Sequence, residues 1–126
     1  MALSLAEADT LLNEFSTKLS KEDKAIYEKL CFERRPKRAA LTKAINAINP
    51  VLADPSCSKQ ALQIHVDRIN DALKALDEAD QKVWEFIRNE RGIQADIVLG
   101  QSYSNQALQV LIQAQTKINR LIAVHC

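Results

Sequence analysis

Apolar residues recur at Leu5, Ala8, Leu12, Phe15, Leu19, Ile26 and Leu30, the three- and four-residue spacing that lines one face of a helix. Ser4 and Glu7 open this segment with the pattern in which a hydroxyl and a carboxylate satisfy orphan amides of a first turn. Ser20, followed by Glu22 and Asp23, is a second start signal. Residues 1–35 are therefore read as one N-terminal helix, or as a pair broken near residues 17–20. Pro36 has no amide hydrogen and pushes Arg35 away from helical backbone, so the first segment is expected to stop there and a new helix to begin near residue 36.

Beyond Pro36 the apolar positions are Leu41, Ile45, Ile48 and Leu52, followed by the turn Ala53-Asp54-Pro55-Ser56. The clearest pattern comes next. Leu62, Ile69, Leu76 and Val83 stand seven apart with Val66, Leu73 and Ile87 between them, a heptad seam in which Asp80 is the one polar intruder. This predicts a helix from Ser56 or Ser58 to about Arg91, with Gly92 just past its end. Residues 36–91 then form an antiparallel, coiled-coil-like helical hairpin. Residues 93–124 form the last helix, with Ile93, Ile97, Ala107, Leu111, Ala114, Ile118 and Leu121 on one face and Leu108, Ile112 and Ile122 beside it. Gly100-Gln101-Ser102-Tyr103-Ser104-Asn105 holds no strong helix former, which predicts a kink or a close backbone crossing.

Composition narrows this to one fold class. Two glycines and three prolines in 126 residues are too few for the tight turns of a sandwich, barrel or Rossmann sheet. The expectation is a single all-α domain over residues 1–126, an up-and-down antiparallel bundle of three to five helices. No apolar run approaches the ~18 residues of a membrane span, and the charged start does not suit a signal peptide. Cys31, Cys57 and Cys126 are widely spaced and odd in number, fitting reduced thiols and a cytoplasmic or nuclear location.

The net charge is +1, but its distribution is uneven: residues 34–43 carry five Lys/Arg and no acid, between two stretches in which acids predominate. Arg34, Arg35, Lys37, Arg38 and Lys43 are thus candidate contacts to nucleic acid or to a partner. The plainer reading has them capping helix carbonyls in water. Trp84, beside the seam residue Val83, is either a core residue or an interface anchor. Leu108, Ile112 and Ile122, with Ile64, exceed what one hairpin can cover and make a candidate interface.

Little in the chain suggests catalysis. His65 has Asp67 and Asp71 nearby, yet no second metal ligand stands one turn on, and His125 reads the same way. Cys57 has no accompanying base, and Asp77, Glu78 and Asp80 lie on a regular helix rather than in a cation-binding loop. A phosphate-cradling loop, a nucleophile elbow and a zinc knuckle are all missing. The expectation is a non-enzymatic protein with no catalytic residue, cofactor, metal or small-molecule substrate, and no membrane association.

The run Lys37-Arg38-Ala39-Ala40-Leu41-Thr42-Lys43-Ala44-Ile45-Asn46, followed by the heptads and by Leu76-Asp77-Glu78-Ala79-Asp80-Gln81-Lys82-Val83-Trp84-Glu85-Phe86-Ile87, resembles the N-terminal, Gag-like helical domain of Bel/Pao-type LTR retrotransposon polyproteins. In that comparison Arg38, Thr42 and Lys43 match a basic helix, and Leu62, Leu73 and Leu76 a hairpin core. The resemblance implies a structural role in particle assembly and RNA packaging, and supplies no catalytic residue. The last helix departs from the family pattern in being Gln-rich and nearly uncharged. The functional expectation is self-association through helices. Its alternatives are a monomeric docking module using Trp84 and the last helix, or weak RNA binding through residues 34–43.

Overall fold

Serine and asparagine side chains decide where the helices begin. The Ser4 hydroxyl accepts from the Glu7 amide at 3.1 Å while the Glu7 carboxylate accepts from the Ser4 amide, which starts α1 (Leu5–Thr17). Ser20 accepts from Asp23 to start α2 (Lys21–Ala53), and Ser58 from Ala61 to start α3 (Lys59–Ile87). The Asn89 side chain accepts from Arg91 and Gly92 at the head of α4 (Glu90–His125). The computed structural model describes residues 3–125, and these form four helices and no strand. The N-terminal segment is therefore the broken pair. The side chain of His125, and Cys126, fall outside the described residues.

Three local expectations are corrected. Pro36 does not end a helix: α2 runs unbroken through Pro36 and Pro50. The Pro36 ring faces solvent, while Arg34 before it and Leu41 after it are buried against α3 and α4, so tertiary packing overrides one missing backbone bond. The hairpin accordingly pairs residues 21–53 with residues 59–87: relative to the expected 36–91, its first arm starts earlier and its second ends four residues sooner. Gly92 is not the terminator of the third helix. That helix stops at Ile87, the left-handed residue is Arg88 (φ 60°), and Gly92 lies in the first turn of α4. Its missing side chain makes room for Ile87, whose Cγ2 would stand 2.8 Å from a Cβ there. Finally, α4 passes through residues 100–105 without a break. The close approach there is made by a side chain: the Arg38 guanidinium would meet a Cβ on Gly100 at 2.8 Å.

The helices form an up-and-down bundle. α3 returns antiparallel to α2, and α4 runs with α2: Arg34 meets Asp96 near one end, and the Lys117 ammonium donates to the Leu52 and Asp54 carbonyls (2.8 and 2.7 Å) near the other. Leu41, Ile45 and Ile48 of α2 interlock with Leu62, Val66, Ile69 and Leu76 of α3 and with Ala107, Val110, Ala114 and Ile118 of α4. Small residues on α4 let its backbone approach the larger side chains of the hairpin. α1 packs along α4. At the lower end Phe15, Tyr27 and Phe86 join α1, α2 and α3, with Phe15 edge-on to Tyr27 at 5.4 Å and Tyr27 stacked on Phe86 at 5.8 Å.

Candidate functional site

The basic stretch of α2 divides among three surroundings, because successive residues of a helix point 100° apart. Arg34 turns inward. Its guanidinium, on a residue only 5% exposed, donates two bonds to Asp96 (2.7 and 2.9 Å) and one to Asp80 (3.1 Å). The Trp84 indole N–H donates to the same Asp96 carboxylate at 2.8 Å. Burial pulls the Arg34 guanidinium down, but the bonds and charge of Asp96, with Asp80, more than reverse this and keep it protonated. Asp80 is the second carboxylate on one cation; burial holds its carboxyl above the usual range against the pull of Arg34. Burial, then the neighbouring Cys31 and the charge of Asp96, push the Tyr27 phenol up as well. This buried knot joins α2, α3 and α4 and is occupied with itself.

Lys37 turns to the opposite flank, into an α2/α3 groove that it shares with Glu33, Glu78 and Lys82. Arg35, Arg38 and Lys43 converge with Thr42, Asn46 and Tyr103 on a shallow α2/α4 groove of about 640 Å³. No acid lines it. Arg38 lies over the Tyr103 ring, 5.0 Å from its centroid, and the buried Arg38 Nε has no hydrogen-bond partner.

A second surface feature runs along α4. Leu108 is 54% exposed, Ile112 66%, Ile122 41% and Ile97 43%, and helical spacing brings all four onto one strip. Trp84 is not part of this strip; it is half-buried and bonded inward to Asp96.

The remaining candidates do not gather. His65 is half-buried with Nδ1 unpartnered, Asp67 accepts instead from Gln63 at 3.0 Å, and Asp71 is exposed. Cys57 packs against the core. Among the described residues no three His, Cys, Asp or Glu side chains lie close enough to hold a metal ion, and no helix is long and apolar enough to cross a membrane.

Sequence reading passed over Asp96, Tyr103 and Asn46. Asp96 did carry a signal, since it shares a helical face with Tyr103, Ala107, Val110 and Ala114, and an acid on an apolar face needs a partner. No known family model, curated protein or solved structure matches this chain.

Proposed function

We propose that this bundle is a non-enzymatic assembly module in which two copies pair through α4. The observation that carries the reading is the strip of Ile97, Leu108 and Ile112, solvent-facing on a stretch that has no charged residue from Ile97 to Thr116, continued by Ile122 beyond Lys117 and Arg120. A neutral face does not repel its own copy, and each Leu or Ile buried there is worth about 1.5–3 kcal/mol. The spacing also complements itself. Read antiparallel about residue 110, Leu108 opposes Ile112 and Ile97 falls beside Ile122. The interleaved amides match too, with Gln101 opposite Asn119 and Asn105 opposite Gln115. A two-fold interface demands this kind of self-complementarity.

Surface area agrees. The chain exposes 8473 Å², whereas a compact monomer of 14.1 kDa exposes about 6700 Å². The surplus is about twice the ~800 Å² that a standard interface removes from each partner, so the chain has surface to spare for one. The resemblance of residues 37–91 to Gag-like helical domains points the same way. A docking role centred on Trp84 is less favoured, because its polar atom is already bonded to Asp96.

Sedimentation equilibrium at tens of micromolar tests the pairing. A dimer is expected, and Leu108→Glu with Ile112→Glu should give a monomer of unchanged helical circular dichroism. A monomeric parent protein, or a double variant that stays dimeric, overturns the proposal. For register, Asn105→Cys and Gln115→Cys chains lacking the native cysteines should join through a short bis-maleimide only when mixed.

A further inference from the structure

We infer that the groove between α2 and α4 binds single-stranded nucleic acid, with Arg35, Arg38 and Lys43 holding phosphates and Tyr103 offering a ring to a base. Acids are missing from two stretches that meet along this groove. α2 carries no Asp or Glu from Arg34 to its end at Ala53, and no Asp or Glu follows Asp96 on α4. The fold lays these two acid-free stretches side by side, running in the same direction. The carboxylates of Asp67, Asp71, Asp77, Glu78 and Glu85 are all on α3. The stretch of this groove lined by Arg35, Arg38 and Lys43 is therefore locally cationic in a chain of net charge +1.

The cations along it are arranged as a line rather than a spot. Arg35, Arg38 and Lys43 follow one flank of α2, with the neutral donors Thr42 and Asn46 among them. Farther along the same pair of helices a second groove, of about 530 Å³, brings Lys117 and Arg120 beside Leu52, Leu121 and Ile112, where it borders the pairing strip. Lys117 is committed to the end of α2 through the Leu52 and Asp54 carbonyls, which leaves Arg120 as the exposed cation at that end. From Arg35 to Leu52 the helix rises about 25 Å. Cations spaced over such a length suit a polymer with regularly repeating charge better than a single small anion, and roughly four nucleotides is the lower limit of known single-strand sites.

Two features favour a nucleic acid over a lipid surface. The groove holding Arg35, Arg38 and Lys43 has no exposed Leu, Ile or Phe to insert among acyl chains, and its one aromatic, Tyr103, is set in position by the Arg38 guanidinium. Gly100 is what permits this, because any larger residue would displace the Arg38 head.

The probe is a fluorescein-labelled 12-mer of oligouridylate, titrated with the full chain and read by anisotropy. Saturable binding is expected, weakening with salt with a log–log slope near about −2, for roughly three phosphates neutralised. Arg35→Ala with Lys43→Ala, both exposed positions, should weaken it about tenfold or more, and Lys59→Ala with Lys74→Ala on α3 should leave it within about twofold. Tyr103→Leu should cost several-fold in affinity while keeping the salt slope. Circular dichroism of each variant reports whether the bundle is intact. Absence of saturable binding in about 50 mM salt overturns the inference, as does equal loss in the α3 control. So does inorganic polyphosphate binding as tightly with no effect of Tyr103→Leu, or capture by phosphatidylserine vesicles in place of the oligonucleotide. The Leu108→Glu variant, at a position lining neither groove, is titrated as well: retained binding is expected, and its loss overturns the assignment to this groove.

Discussion

Asp96 accepts three hydrogen bonds on two oxygens, two from Arg34 and one from Trp84, and is 3% exposed. Replacing it with Asn leaves a buried guanidinium facing an amide, and removing one partner of a buried pair costs about 3–5 kcal/mol. Asp96→Asn is expected to lower the urea midpoint accordingly. Asp80→Asn is expected to behave differently, because Asp80 is the more exposed carboxylate and Arg34 is already neutralised by Asp96. Its folded carboxyl is held above the ordinary value. The stability tied to its proton is therefore fully present below about pH 3.9 and is lost as pH rises through the raised value. Asn does not titrate, so the difference between variant and parent should move in the variant's favour between pH 4 and pH 7, read from urea midpoints. This knot was only half legible. Asp80 stood out as a polar intruder on a seam, but Arg34 was grouped with its basic neighbours, since adjacency along the chain hides which way each side chain turns.

At the scale of elements, α3 was the easiest to read along its length, because both its neighbours in the bundle demand the same heptad face. α2 was misread because Pro36 is a strong local signal outweighed by distant contacts. The ring removes one hydrogen bond to the Phe32 carbonyl on a solvent-facing turn, and the buried Arg34 and Leu41 hold the rod together on either side. Pro36→Ala should restore that bond and stabilise the protein by about 2 kcal/mol, after allowing for the greater freedom of the unfolded chain. A raised urea midpoint checks it. The end of α3 was misplaced by four residues for a related reason: Gly92 looked like a stop, whereas Arg88 takes the left-handed conformation and Asn89 starts the next helix.

For the molecule as a whole, scarcity of Gly and Pro together with helical spacing sufficed to give the fold class. The surface is harder to read, because a strip such as Leu108 and Ile112 looks the same in sequence whether neighbours cover it or water does. If copies pair through that strip, association stabilises the folded state by mass action, and the melting temperature should climb by several degrees as protein is raised from about 5 to 200 micromolar. The Leu108→Glu, Ile112→Glu variant should melt at one temperature throughout that range, which differential scanning fluorimetry can follow.

Arg34 on Asp96 and Lys117 on the Leu52 and Asp54 carbonyls rivet α4 to α2 at both ends, 18 residues apart on α2 from Arg34 to Leu52. Sliding one rod past the other by a single turn would undo both fastenings at once, with no halfway seat to catch them. The register of α4 on α2 is therefore fixed at two separate points along the bundle, so a change that frees one leaves the other to hold it.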